Sequence, residues 1–385
     1  MPCPVRARGA FDTAGPRRLQ GTVALRAVVL AAVLLGAVLA SGCETLGYYG
    51  QALRGQAGIL LAAEPVAAVV ADPDTDPRLR ERLRRALDIL AFAEAELDLP
   101  VAGRYRDYVD LDRDAVVYNV FAAPPYELEP VRWCFPIAGC VSYRGYFSQE
   151  AARAKAAELA ARGLDVHVGG AAAYSTLGWF DDPLLSTFVH RDDAGLAELL
   201  FHELAHGVLY VPGETAFNES FATFVGREAT RRWLRARGAL AELEAWEQRS
   251  ALRGRFVALT LALRAELAEG YGALRAADLS AAERRARRDE LWAGLRRRWL
   301  AERPRALAGR DPFFTAAPSN ARLNTVADYN VHLPAFAALH ASLGDDLSRF
   351  LARVRELADD ESARRAFLAA RGVPGRPGRA GTRRE

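Results

Sequence analysis

Lysine is almost missing from this sequence: Lys155 is the one lysine among 51 basic residues in 385, and arginine supplies the rest. That bias marks no function. Surplus positive charge is scarce as well. Residues 1–42 carry Arg6, Arg8, Arg17, Arg18 and Arg26 against Asp12, so the formal +3 of the whole chain becomes about −1 beyond residue 42. The basic balance belongs to the leading segment, and a general nucleic-acid-binding surface is excluded. Cysteine stops at four, too few for a disulfide-stapled scaffold. No apolar run reaches the ~20 residues of a comfortable membrane span; the longest is AVVLAAVLLGAVLA, residues 27–40. No segment repeats with a fixed period. What remains is a chain that is 51% apolar, long enough for one large domain or two modest ones.

The apolar run has the length of a signal-peptide core, and Ala40-Ser41-Gly42-Cys43 follows it directly. Small residues ahead of a single cysteine look like a bacterial lipobox. The expectation is a lipoprotein signal peptide over 1–42 and lipid on Cys43, which becomes the mature N-terminus and holds the protein at a membrane. An uncleaved anchor helix and an ordinary secretory signal are the alternatives. Glu44 stands where an aspartate would favour the inner membrane, so the protein is expected on the outer membrane of a Gram-negative bacterium, facing the periplasm. Cys134 and Cys140 in WCFPIAGC are six apart, and an oxidising periplasm allows a disulfide between them. A metal pair is the alternative, but no histidine or second cysteine pair lies near.

Beyond Cys43 the pattern changes twice. Residues 46–62 read as a short helix, and 77–97 place Leu79, Leu83, Leu87 and Leu90 at helical spacing until Pro100. Residues 105–147 are rich in Val, Tyr and Phe, broken by prolines, and read as strands. Ser148 looks like the N-cap of a helix that Gly163 ends. Residues 165–183 read as extended, with a turn at Gly169-Gly170. From Asp192 onward helices dominate: 194–206, 216–236, 238–270, 280–306, 320–343 and 345–371. Residues 372–385 lack an apolar face and read as a disordered tail. The fold class is therefore α+β and predominantly helical, with a small strand-rich part over about 105–190 and a helical part over about 192–371.

The chemistry concentrates in LAELLFHELAH. His202 and His206 are one helical turn apart and share a face, so both imidazoles can reach one ion. Glu203 is rotated by about 100° from His202. Its carboxylate can take a proton from water beside that ion without being a ligand. Leu199, Leu200, Phe201, Leu204 and Ala205 supply the sides that bury, and Gly207 offers a stop. A hydrolytic zinc site needs a third protein ligand and an open position. Glu214 and Glu219 compete for it. Thr215 reads as an N-cap, so Glu219 falls on the early turns of the next helix. Ala222 and Gly226 follow on the same face and permit a close approach, which favours Glu219. Glu228 is a candidate hydrogen-bond partner for a ligand histidine.

HELAH followed by NESFA resembles the gluzincin metallopeptidases, with HExxH on one helix and NExxA on the next. Over residues 43 to about 350 the chain is similar to a family of bacterial lipoproteins described as zinc aminopeptidases. WCFPIAGCVSYRGYF (133–147), AYSTLGWFDDP (173–183), FHELAHGVLY (201–210), FNESFATFVG (217–226) and the segment 320–329 carry that similarity. It implies a zincin-like domain over 43–371, one Zn²⁺ held by His202, His206 and Glu219, Glu203 as base, and a peptide substrate.

Other roles are assigned on weaker patterns. Tyr329 and His332, three apart on the expected helix, are candidates to stabilise the oxyanion. Residues 173–183 can offer an extended edge to a substrate strand. An aminopeptidase needs a carboxylate for the free ammonium group, and Asp181, Asp182 and Glu214 are candidates. The leading expectation is a membrane-tethered zinc peptidase, most simply an aminopeptidase. A zinc amidase acting on cell-wall peptides is the alternative, as is a lipoprotein scaffold with a structural zinc.

Overall fold

In the computed structural model, which describes residues 45–135, 139–174, 181–307 and 318–371, strand-forming and helix-forming stretches separate along the chain. The leader, Cys43 and the tail lie outside the described residues. Two units divide the chain after Ala57. The first contributes most of a helix over 45–61, α1. The second opens with β1 (Glu64–Pro65), α2 (Val66–Ala71) and α3 (Pro77–Leu97). Pro77 starts α3, and the Asp76 carboxylate accepts from the N–H groups of Arg78 and Leu79. The face of α3 carrying Leu83, Ala86, Ile89, Leu90 and Ala93 is fully buried.

The strands follow as β2 (Asp107–Val109), β3 (Val117–Ala123), β4 (Trp133–Phe135), β5 (Gly139–Val141) and β6 (Tyr143–Tyr146). Then come α4 (Gln149–Ala161), β7 (Asp165–Ala171), β8 (Leu184–Leu185) and α5 (Ser186–Val189). β3 is central in an antiparallel sheet ordered β6-β3-β7, with α4 packed on it. β1, β2 and β8 form a second small sheet, and β4 and β5 form a separate hairpin. Cys134 and Cys140 face each other across that hairpin and are joined by a disulfide. Gly169 and Gly170 sit inside β7, paired with Asn119 and Tyr118, so the expected turn there is absent. Pairing along the whole of β3 holds the glycines extended.

The helical part contains α6 (Asp193–His206), α7 (Thr215–Ala236), α8 (Leu240–Ala276), α9 (Ala281–Glu302), α10 (Asn320–Asn330), α11 (Leu333–Ser342), α12 (Leu347–Asp359) and α13 (Glu361–Arg371). The main core lies between α3, α6 and α7, with Leu196, Leu200, Phe201, Leu204, Phe217 and Phe221 all at 0% exposure. Each such side chain contributes about 1.5–3 kcal/mol. The predominantly helical build with a strand-rich N-terminal part is as the sequence implies.

Several helix boundaries differ, and three of the differences have a clear cause; α9 also ends at Glu302, four residues before the expected 306. The expected helix 320–343 breaks at Val331-His332, because the ring of Pro334 excludes the carbonyl of Asn330 from a continuing helix. The expected helix 345–371 breaks at Asp360, whose side chain accepts from the N–H of Ala363 and starts α13. α8 runs six residues past Gly270, because Tyr271 and Leu274 are buried against Trp292, Leu295 and Trp299 of α9. Packing there overrides the poor helix propensity of Gly270 and Gly272.

The α8–α9 contact forms a second, smaller core, which also takes in Leu323 of α10. A chain of hydrogen bonds fastens it. Trp292 Nε1–H donates to the Tyr271 hydroxyl at 2.9 Å, and that hydroxyl donates to Asn320 Oδ1 at 2.9 Å. The Asn320 amide donates to the carbonyls of Pro124 and Glu127. The Asn320 N–H donates to Asp165, which pairs with Arg288 of α9.

A charge cluster fixes the start of α6. Asp193 meets Arg82 and Arg85 of α3 and Arg237 just past α7. Burial pushes its carboxyl up, but the hydrogen bond from Arg82 and the charges of Arg85, Arg82 and Arg237 outweigh this and hold it below the ordinary value. A depressed folded pKa contributes stability that is present above the unfolded value, about 3.9, and lost as pH falls through the folded one. Asp193→Asn is expected to cost about 1 kcal/mol at neutral pH, a figure kept small because the site is partly solvated. In urea titrations the gap to the unaltered protein should close in strongly acid buffer.

Candidate metal centre

Two helices that lie unusually close build this centre. A Cβ placed on Gly226 of α7 would stand 2.8 Å from the Glu198 carbonyl oxygen and 3.2 Å from the His202 Cβ, both on α6. Only glycine permits that approach. It brings the first turns of α7 within reach of the HELAH face, as the small residues on α7 imply.

The loop between the helices, 207–214, is short. Gly207 ends α6 with a right-handed φ of −80°. The Arg104 guanidinium lies where a Cβ would stand, close over this last turn. A cation over the last turn also suits the helix dipole. The loop is then closed by Asn218, whose side chain accepts from the Val211 N–H at 2.9 Å and donates to the Val211 carbonyl at 2.8 Å. The Glu214 N–H also returns to the Val211 carbonyl. Glu214, not Thr215, is therefore the N-cap of α7, and it makes no side-chain cap bond. The backbone clamp takes over the work a hydroxyl cap would do. Arg132, just before β4, donates to the Gly213 carbonyl at 3.1 Å and ties the disulfide hairpin to this loop. Asn218→Ala is expected to leave the Val211 N–H unpaired, while the Val211 carbonyl keeps the Glu214 N–H, and to cost about 1–3 kcal/mol. It should also weaken metal retention, measured by thermal melts and by competition with a chelator.

From this frame His202 Nε2 and His206 Nε2 point at each other, 3.2 Å apart. Glu219 Oε2 stands 3.4 Å from the first and 3.7 Å from the second. Among the described residues these three side chains are the group able to hold a metal ion. Two ligands at 2.0–2.1 Å from a tetrahedral zinc lie about 3.3–3.4 Å apart, so the triangle has the right edge. Glu219 Oε2 is buried and takes no aligned hydrogen bond from the described residues. An acceptor in that state fits a cation.

The electrostatics agree. Burial pushes the His206 imidazole down to about 4, Glu219 notwithstanding. Burial also pushes His202 down, but the close Glu219 carboxylate and the charges of Glu203 and Glu198 reverse this and hold it above its ordinary value. Burial raises the Glu219 carboxyl, yet His206 and His202 outweigh it and keep Glu219 low. An excess of buried carboxylate over imidazolium is what a divalent cation offsets.

Residues 47–368 match a family described as "Putative aminopeptidase". The chain belongs to that family. No curated protein and no solved structure matches it. Of the two carboxylates expected to compete, Glu219 is the one that joins His202 and His206, while Glu214 stays at the helix start, partly exposed.

Glu203 is 8% exposed on the same helix as the two histidines. Burial pushes its carboxyl up to about 7, opposed by His202 and reinforced by Glu219 and Asp182. A carboxylate near neutrality is suited to passing protons. Tyr329, on α10, stacks over His202 with ring centroids 6.0 Å apart. The charge of Glu219 is the main cause that raises the phenol pKa of Tyr329 well above 10. It therefore remains a proton donor. His332 does not share its helical face, since α10 ends between them. His332 caps α11, and its N–H donates to Ser220 Oγ.

Of the acidic candidates, Asp182 is 4% exposed and acts electrostatically on Glu203. Its carbonyl accepts from the Tyr105 N–H at 2.7 Å. Asp181 is exposed and lies against Gly103. Glu228 is bound to Arg231 and Arg232, which corrects its expected role beside a histidine. The extended edge expected over 173–183 falls mostly on residues outside those described.

Sequence reasoning passed over two tyrosines. Tyr143 of β6 is raised by burial and by Glu219, and Tyr105 by burial and by Glu203. Both therefore sit in the field of the centre. Asn218 was passed over too, although it stands beside Glu219 in NESFA.

Proposed function

We propose that the protein is a zinc-dependent aminopeptidase with a zincin-like site, tethered to the membrane through lipid on Cys43 and facing the periplasm. The reading rests above all on the convergence of His202, His206 and Glu219 to a triangle of 3.2–3.7 Å beside a buried glutamate. His202, His206 and Glu219 would hold the ion. Zinc bound there supplies Lewis acidity toward the scissile carbonyl and acidifies a water molecule. Glu203 accepts the proton of the attacking water and delivers it to the leaving amine, so its carboxyl must cycle between both forms. The Tyr329 hydroxyl, kept protonated, donates a hydrogen bond toward charge developing on the carbonyl oxygen. Asp182, buried near Glu203, is the carboxylate suited to the free ammonium group of the substrate. Burial around the centre excludes bulk water and strengthens each of these contacts.

The test uses the processed protein and aminoacyl p-nitroanilides. Activity is expected with one zinc per chain, to vanish on chelation, and to return with stoichiometric zinc. N-acetylated substrates should be refused. Equal turnover of blocked and free peptides would remove the exopeptidase assignment, and activity indifferent to chelation would remove the zinc assignment.

A further inference from the structure

Helix α1 presents the wrong face to water. Eight large apolar side chains are exposed among the described residues, and five belong to this one helix: Leu46, Tyr49, Leu53, Leu60 and Leu61. Leu46, Leu53 and Leu61 are 73%, 71% and 87% exposed. At about 100° per residue, these five and Ala57 fall within about 120° of one another around the axis. Gln51 lies away from this stripe and is less exposed. Arg54 is the sole charged residue between 45 and 61, and it stands at the rim of the stripe. A helix that keeps its apolar row outward has an apolar medium or a partner on that side.

We infer that α1 lies in the lipid–water interface of the bilayer, with the row from Leu46 to Leu61 immersed among the upper acyl chains. The choice of a bilayer as occupant rests on the tether proposed at Cys43. Thr45 is two residues from that cysteine, so lipid there holds the start of the helix within about 7 Å of the headgroups. No described helix is long and apolar enough to cross a membrane, so α1 lies along the surface. Tyr48 and Tyr49, ring against ring at 5.6 Å, occupy the end nearest the tether. Tyrosine suits the interface, where one end of the ring meets lipid and the other meets water. Arg54 at the rim can lift its guanidinium to the phosphates while its stem stays with the apolar row. The contact turns a single-point tether into a two-point attachment.

The experiment places single cysteines in the full-length chain, at Leu53→Cys and Leu60→Cys on the stripe and at Gln51→Cys and Ala52→Cys away from it. The processed proteins carry a fluorophore and are reconstituted in vesicles of phosphatidylethanolamine and phosphatidylglycerol. The quencher is a lipid bearing a nitroxide near the glycerol. Quenching several-fold stronger at 53 and 60 than at 51 and 52 is the expected result, with circular dichroism unchanged in all four. Equal or absent quenching overturns the inference. So does shielding of 53 and 60 without lipid quenching, which would mean a second copy or another protein covers the stripe. The mass of the peptide containing Cys43 separates the two readings. Lipid present with unsided quenching defeats the helix contact alone, and lipid absent with sided quenching defeats the tether alone.

Discussion

Glu203→Gln should abolish nearly all turnover while leaving the metal in place. Glutamine keeps the volume and the planar end of the side chain, so the packing of α6 is preserved. It accepts no proton, and the step that activates water stops. The loss of a general base is worth about 10²–10⁴ in kcat, or about 2.7–5.4 kcal/mol of barrier. KM should change little, because binding of the substrate does not need the charge of Glu203. The contrast is Glu219→Gln. There the ligand set is damaged, and activity and zinc content should fall together. Metal analysis beside steady-state kinetics distinguishes the two. If Glu203→Gln retains ordinary turnover, the water is activated elsewhere and the role given to Glu203 is wrong.

Gly226→Val should have the next largest effect, although residue 226 is not itself a ligand. The valine Cβ would meet the Glu198 carbonyl oxygen at 2.8 Å and the His202 backbone nitrogen at 3.3 Å, and its methyls add further bulk. Backbone cannot rotate aside, so α7 must move away from α6. Overpacking of this kind costs about 1–3 kcal/mol. The site pays more than the fold, because Glu219 is two turns earlier on the same rigid helix and moves with it. Displacing a ligand through its support weakens metal affinity about 10–100-fold. Gly226→Ala, which adds the Cβ alone, should fall between. Zinc competition with a fluorescent chelator gives the affinities, and thermal melts give the stability. Equal zinc affinity in all three proteins would show that helix separation does not control the centre.

Legibility followed the range of the interactions. His202, Glu203 and His206 were readable because their relation is set within one helical turn. Glu219 was readable because Ala222 and Gly226 announce a close helix partner. The break at His332 was also open to reading, since Pro334 forbids the carbonyl of Asn330, but the apolar pattern on either side disguised it. Asn218 was not readable, because its clamp on Val211 exists only once the loop has closed. Tyr105 and Tyr143 come from strand-rich segments brought to the centre by tertiary pairing, and no local spacing marks them. Asp182 was named with two rivals; burial separates it from Asp181, and its effect on Glu203 separates it from Glu214.

The hydrogen-bonded chain Trp292–Tyr271–Asn320 has a consequence for the timing of motion at the centre. It bolts the first turn of α10 to the outlying α8–α9 pair, while Tyr329 rides at the far end of that same helix. The histidines draw their rigidity from the main core, whereas α10 is held by that outlying pair as well as by Ser220 of α7, which donates to the Asp328 carbonyl, so donor and ligands are expected to differ in local stability. Native-state amide exchange should reveal α10 opening together with α8 and α9, at a lower free energy than α6. The tyrosine would then be the part of the centre free to breathe as peptides enter and leave.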